Sequence, residues 1–278
     1  MTSIEFSLWL AASSLLAGLL GALTGLGGGV VIVPMLSLAF HVDIRYAMGA
    51  SLVSVIATSS GSAAAYLKEG FSNIRIGMFL EIATTMGAVL GSYLATRTPT
   101  KAIAVVFGLV LLCSAVASLR PRKERARDAP PDRLAVHLRL DGTFPESGHK
   151  VAYRVRRVPL GFGLMFGAGA LSGLLGIGSG AVKVLAMDHA MEVPFKVSTT
   201  TSNFMIGVTA AASAGIYMRR GYIDPGIAMP VTLGVLAGSL LGAAVLVRAN
   251  AKVLRIVFAA VIAALGVEMI ANGITGRL

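Results

Sequence analysis

Two short glycine-rich stretches, "GLGGG" at residues 25–29 and "GIGSG" at residues 176–180, interrupt runs of apolar residues. Each is followed by about eleven apolar residues, which as a helix would span roughly 16 Å. The first N–H groups of a helix have no intrahelical acceptor and carry a partial positive charge. Two such helix starts that face each other are expected to form an anion-binding site.

A run of six polar residues, "STTTSN" at residues 198–203, follows the second glycine motif. Hydroxyl groups on helices can bond back to carbonyls one turn earlier, which explains some of them. The run exceeds that need, so we expect it to contact the oxygens of a polar ligand. The predicted substrate-binding residues are Gly27, Gly28, Gly29, Ser51, Ser54, Thr58, Gly178, Ser179, Gly180, Lys183, Thr200, Thr201, Ser202 and Asn203.

Three ionisable residues in or beside the apolar stretches are candidates for moving charge: Lys183, Glu81 and His189. A lysine in lipid costs at least about 2.5 kcal/mol. Lys183 therefore either extends to the headgroups or places a positive charge beside the anion site. Glu81 would pair with a cation or carry a proton. His189 is expected at the interface, and a protonatable role for it is left open.

The sequence lacks the motifs of nucleotide, dinucleotide and zinc sites. Its single cysteine, Cys113, provides neither a disulfide framework nor a thiolate metal site. We therefore expect no enzyme activity, no cofactor and no bound metal. Any transport would use ion or substrate gradients.

The composition predicts an all-α polytopic membrane protein, because 55% of the 278 residues are hydrophobic, 13% are charged and the mean hydropathy is +0.80. About eight stretches approach the roughly 20 residues that cross a bilayer. They are residues 6–24, 46–67, 76–96, 102–119, 158–182, 197–218, 225–247 and 253–272. The short apolar pieces 30–40 and 181–191 raise the count toward ten.

Residues of the first half recur after 151 positions in the second half. The glycines of the two motifs coincide, and so do Ser51 with Ser202 and Thr58 with Thr209. The sequence thus predicts two transmembrane repeats of four to five segments, at 1–119 and 158–278, joined by a linker at 120–157. If each short piece counts as a crossing or half-crossing, each half has five segments and the second repeat is inverted.

The linker between the repeats is basic, with eleven Lys and Arg residues against five Asp and Glu between Arg120 and Arg157. Such enrichment beside membrane helices predicts a cytoplasmic loop and both termini on the opposite side. Binding of a polyanion is an alternative role for the charge. Within the loop, "RLAVHLRLDGTF" and "HKVAYRV" alternate apolar and polar residues around an Asp–Gly pair, which predicts a small β-hairpin.

Several of these stretches resemble the sulfite exporter TauE/SafE family: "TGLGGGVVIVPML", "GLLGIGSGAVKVLAM", "KVSTTTSNFMIGVTAAASA" and "RRVPLGFGLMFGAGALSGLLG". The resemblance covers nearly all of the chain outside the linker. It implies a permease of the bacterial or archaeal inner membrane for sulfite, sulfoacetate or related sulfur-containing anions. This chain has Ser179 where the family commonly has the middle glycine of a GGG motif.

Two alternatives stay open. A transporter of cations or another metabolite would have carboxylates lining its site, for which only Glu81 qualifies. A non-transporting scaffold would use the basic loop to bind a partner, and would leave the paired glycine motifs unexplained. The expected partners are a small anion and the lipid bilayer, without nucleic acid, and a homodimer is left open.

Overall fold

The computed structural model describes residues 3–24, 28–68, 72–119, 132–146, 149–246 and 251–276. The chain is mostly helical, as the composition predicts. The first half contains α1 (Ser3–Thr24), α2 (Gly29–Pro34), α3 (Ile44–Lys68), α4 (Ile74–Ala95) and α5 (Thr100–Leu119). The second half contains α7 (Val158–Leu175), α8 (Gly180–Leu185), α9 (Phe195–Arg219), α10 (Pro225–Leu246) and α11 (Ala251–Thr275).

Both short helices continue into a π-helical turn, at Met35–Ala39 after α2 and at Ala186–Ala190 after α8. We call each combined segment a half-helix, the first at Gly29–Ala39 and the second at 180–190. The bounds of α8, its π-helical turn, α9 and α10 lie 151 residues after those of their counterparts in the first half. The two halves therefore have the same order of elements.

Helices at equivalent positions in the two halves pack against each other in opposite directions. In the pair α5 and α11, Gly108 lies against Gly266 and Ile270, whereas the earlier residue Lys101 lies against Gly273. In the pair α3 and α9, Met48 contacts Tyr217, and Ser59, later in α3, lies against the earlier residue Gly207. Contacts between one helix's beginning and the other's end require antiparallel packing.

The remaining large interfaces also join the two halves, but with parallel helices. Gly234 and Gly238 of α10 lie against Ala11 and Leu15 of α1, in the same order. The α4–α7 interface has the same arrangement, with Gly87 and Gly91 against Phe166 and Ala170. At these glycines an added methyl group would overlap a backbone carbonyl of the neighbouring helix, so close helix packing requires them.

The α4 surface separates small and polar residues from large apolar ones. Gly77, Glu81, Thr84 and Ser92 belong to its buried face. Apart from Arg75 in its first turn, the exposed side chains of α4 are large and apolar: Ile74, Met78, Ile82, Met86, Val89, Leu90, Tyr93 and Leu94. This arrangement is typical of a helix whose outer face contacts lipid. Within the described residues, α4 and α7 are long and apolar enough to cross a membrane, and shorter apolar segments lie in α1, the first half-helix, α5, α10 and α11.

The linker contains the predicted hairpin, but its first part is helical. Strands β1 (Gly142–Glu146) and β2 (His149–Tyr153) pair antiparallel, whereas Arg133–His137 forms helix α6. The prediction of strand at 133–137 is wrong because Asp132 caps a helix there, accepting a hydrogen bond from the N–H of Leu134 at 2.9 Å. Asp141 lies directly before β1 and Gly142 is its first residue, so the Asp–Gly pair is not the connection between the strands. Residues 147–148, which join β1 to β2, lie outside the described residues.

Asp132 also ties the linker to the second half, because its carboxylate accepts a hydrogen bond from the N–H of Val158 at 3.1 Å. Backbone N–H groups, first that of Val158, hold the pKa of Asp132 below its usual range. Linker side chains share an apolar cluster with α4, α7, α9 and the second half-helix: Ala135, Leu140, Phe144 and Val155. The linker described from residue 132 onward is thus packed on the helices.

Candidate functional site

The two glycine motifs meet at the middle of the helices that surround them. A methyl group added at Gly29 would lie 2.8 Å from Ser51 Oγ and 3.3 Å from Ile177 Cα of the second motif. Gly28 lies against Val235, at the centre of α10, and Gly178 against Ile206, at the centre of α9. Gly27 lies outside the described residues. The two half-helices therefore begin close together, as the sequence predicts.

Left-handed backbone produces the break before the second half-helix. Gly176 ends α7 with φ +67°, Gly178 has φ +71°, and Ser179 has φ +46°. A residue with a side chain is disfavoured in this conformation, which glycine adopts freely. Ser179 is buried, and its Oγ has no hydrogen-bond partner among the described residues. A strained residue with an unpaired hydroxyl thus lies directly before Gly180, where the second half-helix begins.

Two of the predicted hydroxyl groups bond to this break. Ser51 Oγ donates to the carbonyl of Gly176 at 2.7 Å, and Ser202 Oγ donates to the carbonyl of Gly180 at 3.3 Å. A broken helix inside a membrane is tolerated only where its freed backbone groups find partners. Ser51 and Ser202 supply two of those partners, one from each half.

The other predicted hydroxyls bond mostly within their own helices. Ser54, Thr58 and Thr200 donate to carbonyls three or four residues earlier. Thr201 Oγ1 accepts a hydrogen bond from the backbone N–H of Asn73 at 3.0 Å, at the start of α4. Asn203 is half-buried. Thr201 therefore links α9 to α4 near the linker.

Lys183 is completely buried and lies beside Glu81. Its Nζ donates to Thr209 Oγ1 at 2.5 Å, and the Thr209 hydroxyl lies 2.6 Å from Glu81 Oε1. Thr85 Oγ1 donates to the same carboxylate oxygen at 3.2 Å. Glu81 Oε2 has no partner among the described residues. A threonine hydroxyl thus bridges a buried ammonium and a buried carboxylate from three different helices.

The positions related to this pair by the 151-residue repeat carry no charge. Residues 151 positions before Lys183 and Thr209 are Ile32 and Thr58, and the residue 151 positions after Glu81 is Thr232. Thr58 donates to carbonyls of its own helix. The bridged charge pair is therefore present at one of two equivalent positions.

The sequence prediction omitted Thr209 from the site, although its alignment with Thr58 was a signal for it. His189, in contrast, is exposed and lies 3.5 Å from Asp188, away from the pair. A cavity of about 310 Å³ lies elsewhere, between the first half-helix and α11, and Glu268 is its one ionisable lining residue. Since that lining is otherwise apolar, we locate the site at the buried pair and the helix breaks.

Comparisons with known proteins identify related membrane transporters. The sequence profile of the family described as "Sulfite exporter TauE/SafE" matches residues 10–269. The chain is 28% identical to the probable membrane transporter protein YunE of Bacillus subtilis, over 94% of this chain and 96% of the relative.

It is also 26% identical to the probable membrane transporter protein YdhB of the same bacterium, over 82% of this chain and 85% of that protein. A probable membrane transporter protein of Methanocaldococcus jannaschii is 24% identical over 92% of both chains. No solved structure shows significant similarity. Because the family profile covers nearly the whole sequence, the chain belongs to the sulfite exporter TauE/SafE family.

Proposed function

We propose that this membrane transporter carries small sulfur-containing anions, such as sulfite, sulfoacetate or other organosulfonates, between its two half-helices. The observation that carries the proposal is the buried ammonium group of Lys183 one turn after a helix break. The family's printed description, sulfite exporter, supports the class of substrate.

The second half-helix offers three kinds of donor to an anion. Its first N–H groups lack intrahelical acceptors, and side chains on a helix lean toward its N-terminus. Lys183 therefore leans toward the break, and its ammonium group lies at Thr209 of α9, close to Ile206, against which Gly178 of the break packs. An unpaired Ser179 hydroxyl, the ammonium group and the first N–H groups together suit the oxygens of sulfite or of a sulfonate.

We further propose inverted repeats, supported by the antiparallel packing of α3 with α9 and of α5 with α11. In this arrangement each half-helix counts as one of five alternating segments, both termini lie on one side and the linker lies on the other. The basic linker then lies in the cytoplasm, in a multi-pass protein of a bacterial or archaeal cell membrane.

Flux through proteoliposomes tests the substrate assignment. Purified protein is expected to move radiolabelled sulfite or sulfoacetate, and Lys183→Met to reduce that flux at least about tenfold, because the anion loses its buried counter-charge. Lys101→Met, at an exposed lysine of α5, is the matched control and keeps the flux. If the protein moves neither anion, or if Lys183→Met transports like the unmodified protein, the proposal is wrong.

The alternatives have less support at this site. A cation would meet Glu81 already compensated by Lys183, so the pair disfavours cation binding. If the protein were a scaffold that acts through its linker, deletion of residues 142–153 would abolish its function. The helix breaks would then tolerate bulky side chains. In contrast, we expect Gly28→Leu and Asn203→Leu to stop anion transport without unfolding the protein.

A further inference from the structure

We propose that the protein couples anion movement to protons, because the substrate anion takes Lys183 from Glu81 and Glu81 then binds a proton. This inference rests on the proposed function, in that it adds the coupling ion to the same site. It follows from the bridge geometry, from an unpaired carboxylate oxygen and from the neutral surroundings of the pair.

The Thr209 hydroxyl holds the pair together with a single hydrogen atom. Its oxygen accepts a hydrogen bond from Lys183 Nζ, and its hydrogen has three acceptors within reach. These are Glu81 Oε1 at 2.6 Å, the carbonyl of Met205 at 2.9 Å and, more distant, Thr84 Oγ1 at 3.5 Å. While Glu81 is ionised, the hydrogen points to the carboxylate. Once Glu81 is protonated on Oε2, its Oε1 becomes a neutral carbonyl acceptor, and the Thr209 hydrogen can stay on it or turn to Met205.

The unpaired oxygen of Glu81 is the place for that proton. Glu81 Oε2 is buried and without a partner among the described residues, and an unsatisfied buried carboxylate oxygen is unfavourable. The step is balanced: the carboxylate and one proton give the carboxylic acid, with formation of one O–H bond. Lys183 keeps its charge throughout and exchanges the carboxylate for the substrate anion as its partner.

Among the described residues around the pair, no other charge compensates the anion. Along α4, Glu81 faces Lys183 from the second half-helix, Thr209 from α9, and Thr84 and Thr85 of its own helix. The α7 segment 158–175, which packs along α4, has no titratable residue. The ionised pair is neutral overall, so an added anion leaves a net negative charge in a medium of low dielectric constant. One proton on Glu81 removes one unit of that charge.

The molecule has one such coupling site because the equivalent positions, Ile32, Thr58 and Thr232, cannot bind a proton at neutral pH. Two equivalent helix breaks thus share one titratable pair. We therefore expect one proton for each anion bound.

Binding of sulfoacetate at different pH values tests the coupling, because this anion stays ionised near neutral pH. For the unmodified protein, uptake of one proton predicts that affinity falls by up to about tenfold for each unit that the pH rises. Glu81→Gln mimics the protonated carboxyl group. This variant is expected to bind sulfoacetate independently of pH, and more tightly than the unmodified protein at the upper end of the range.

Glu268→Gln removes a carboxylate that lies away from the site, on α11, and is expected to keep the pH dependence. A second measurement uses the unmodified protein alone. In weakly buffered solution, binding of sulfoacetate should remove about one proton per anion from the medium. It decides the question even if Glu81→Gln fails to fold. An unchanged medium pH on binding would overturn the coupling.

Proteoliposomes separate this inference from the proposed function. An imposed pH gradient should drive sulfoacetate accumulation by the unmodified protein. Gradient-driven accumulation should be lost with Glu81→Gln and retained with Glu268→Gln, whose carboxylate lies away from the site. Exchange by the unmodified protein without any response to the gradient would overturn the coupling alone. Absence of both exchange and accumulation, for sulfite as well, would overturn the proposed function and the coupling with it.

Discussion

At the scale of single residues, Lys183 and Glu81 depend on each other. Each is buried among helices that offer hydroxyl groups but no second charge of opposite sign in the described residues near the pair. Loss of one partner from a buried ion pair leaves an uncompensated charge, which is more unfavourable than loss of both. The pair is therefore a stability feature as well as a candidate binding site.

We predict that Glu81→Gln and Lys183→Met each lower the free energy of unfolding by about 3 kcal/mol, whereas the double variant loses much less. Denaturant titration in detergent measures the free energy of unfolding of the unmodified protein, the two single variants and the double variant. Sulfoacetate should restore part of the loss in Glu81→Gln, since it pairs with the buried charge of Lys183 that the variant leaves uncompensated. Additive losses in the double variant would mean that the two charges do not interact.

The sequence identified both charges but not their connection. An ionisable residue in an apolar stretch is conspicuous, so Lys183 and Glu81 could be selected without a structure. Thr209 is one of many helical hydroxyls, and its role depends on which faces of α4, α8 and α9 meet. The bridge spans 128 residues between Glu81 and Thr209, and no local pattern encodes such a contact.

At the scale of elements, the helix breaks were predictable because clustered glycines are unusual in a membrane helix. Their spacing predicted half-helices at 30–40 and 181–191, within one residue of the observed segments. The π-helical turns were not predicted, since they depend on how each half-helix ends against its neighbours. The alternation of apolar and polar residues in the linker led to a wrong prediction of strand at 133–137, where the cap at Asp132 favours a helix.

Two substitutions at Ser179 test the helix break, because comparing them separates the effect of backbone strain from that of the hydroxyl group. Ser179→Gly removes both the hydroxyl and the left-handed strain, whereas Ser179→Ala removes the hydroxyl alone. We predict that Ser179→Gly is more stable than Ser179→Ala by about 1 kcal/mol, measured as the difference in unfolding free energy.

Both variants should bind sulfoacetate several-fold more weakly than the unmodified protein, since both lose one donor worth about 1 kcal/mol. If the two variants are equally stable, the φ of +46° at Ser179 carries no strain. If neither weakens binding, its hydroxyl does not contact the anion.

At the scale of the whole molecule, the number of crossings in each half determines where the linker lies. With five segments per half, the linker is on the opposite side from both termini. With four, all three lie on the same side. The antiparallel packing of α5 against α11 favours five, because equivalent helices of parallel repeats would run in the same direction.

Single cysteines placed on a Cys113→Ala background test this directly in intact cells, with a maleimide that cannot cross the membrane. Ile4→Cys and Thr275→Cys should react from outside, because both positions are exposed near the termini. Thr143→Cys, exposed in β1, should react only after the cells are permeabilised. Uniform reactivity at all three positions would exclude inverted repeats. It would also argue against the anion site between the two half-helix starts. Only inverted repeats bring these starts to the same depth from opposite sides of the membrane.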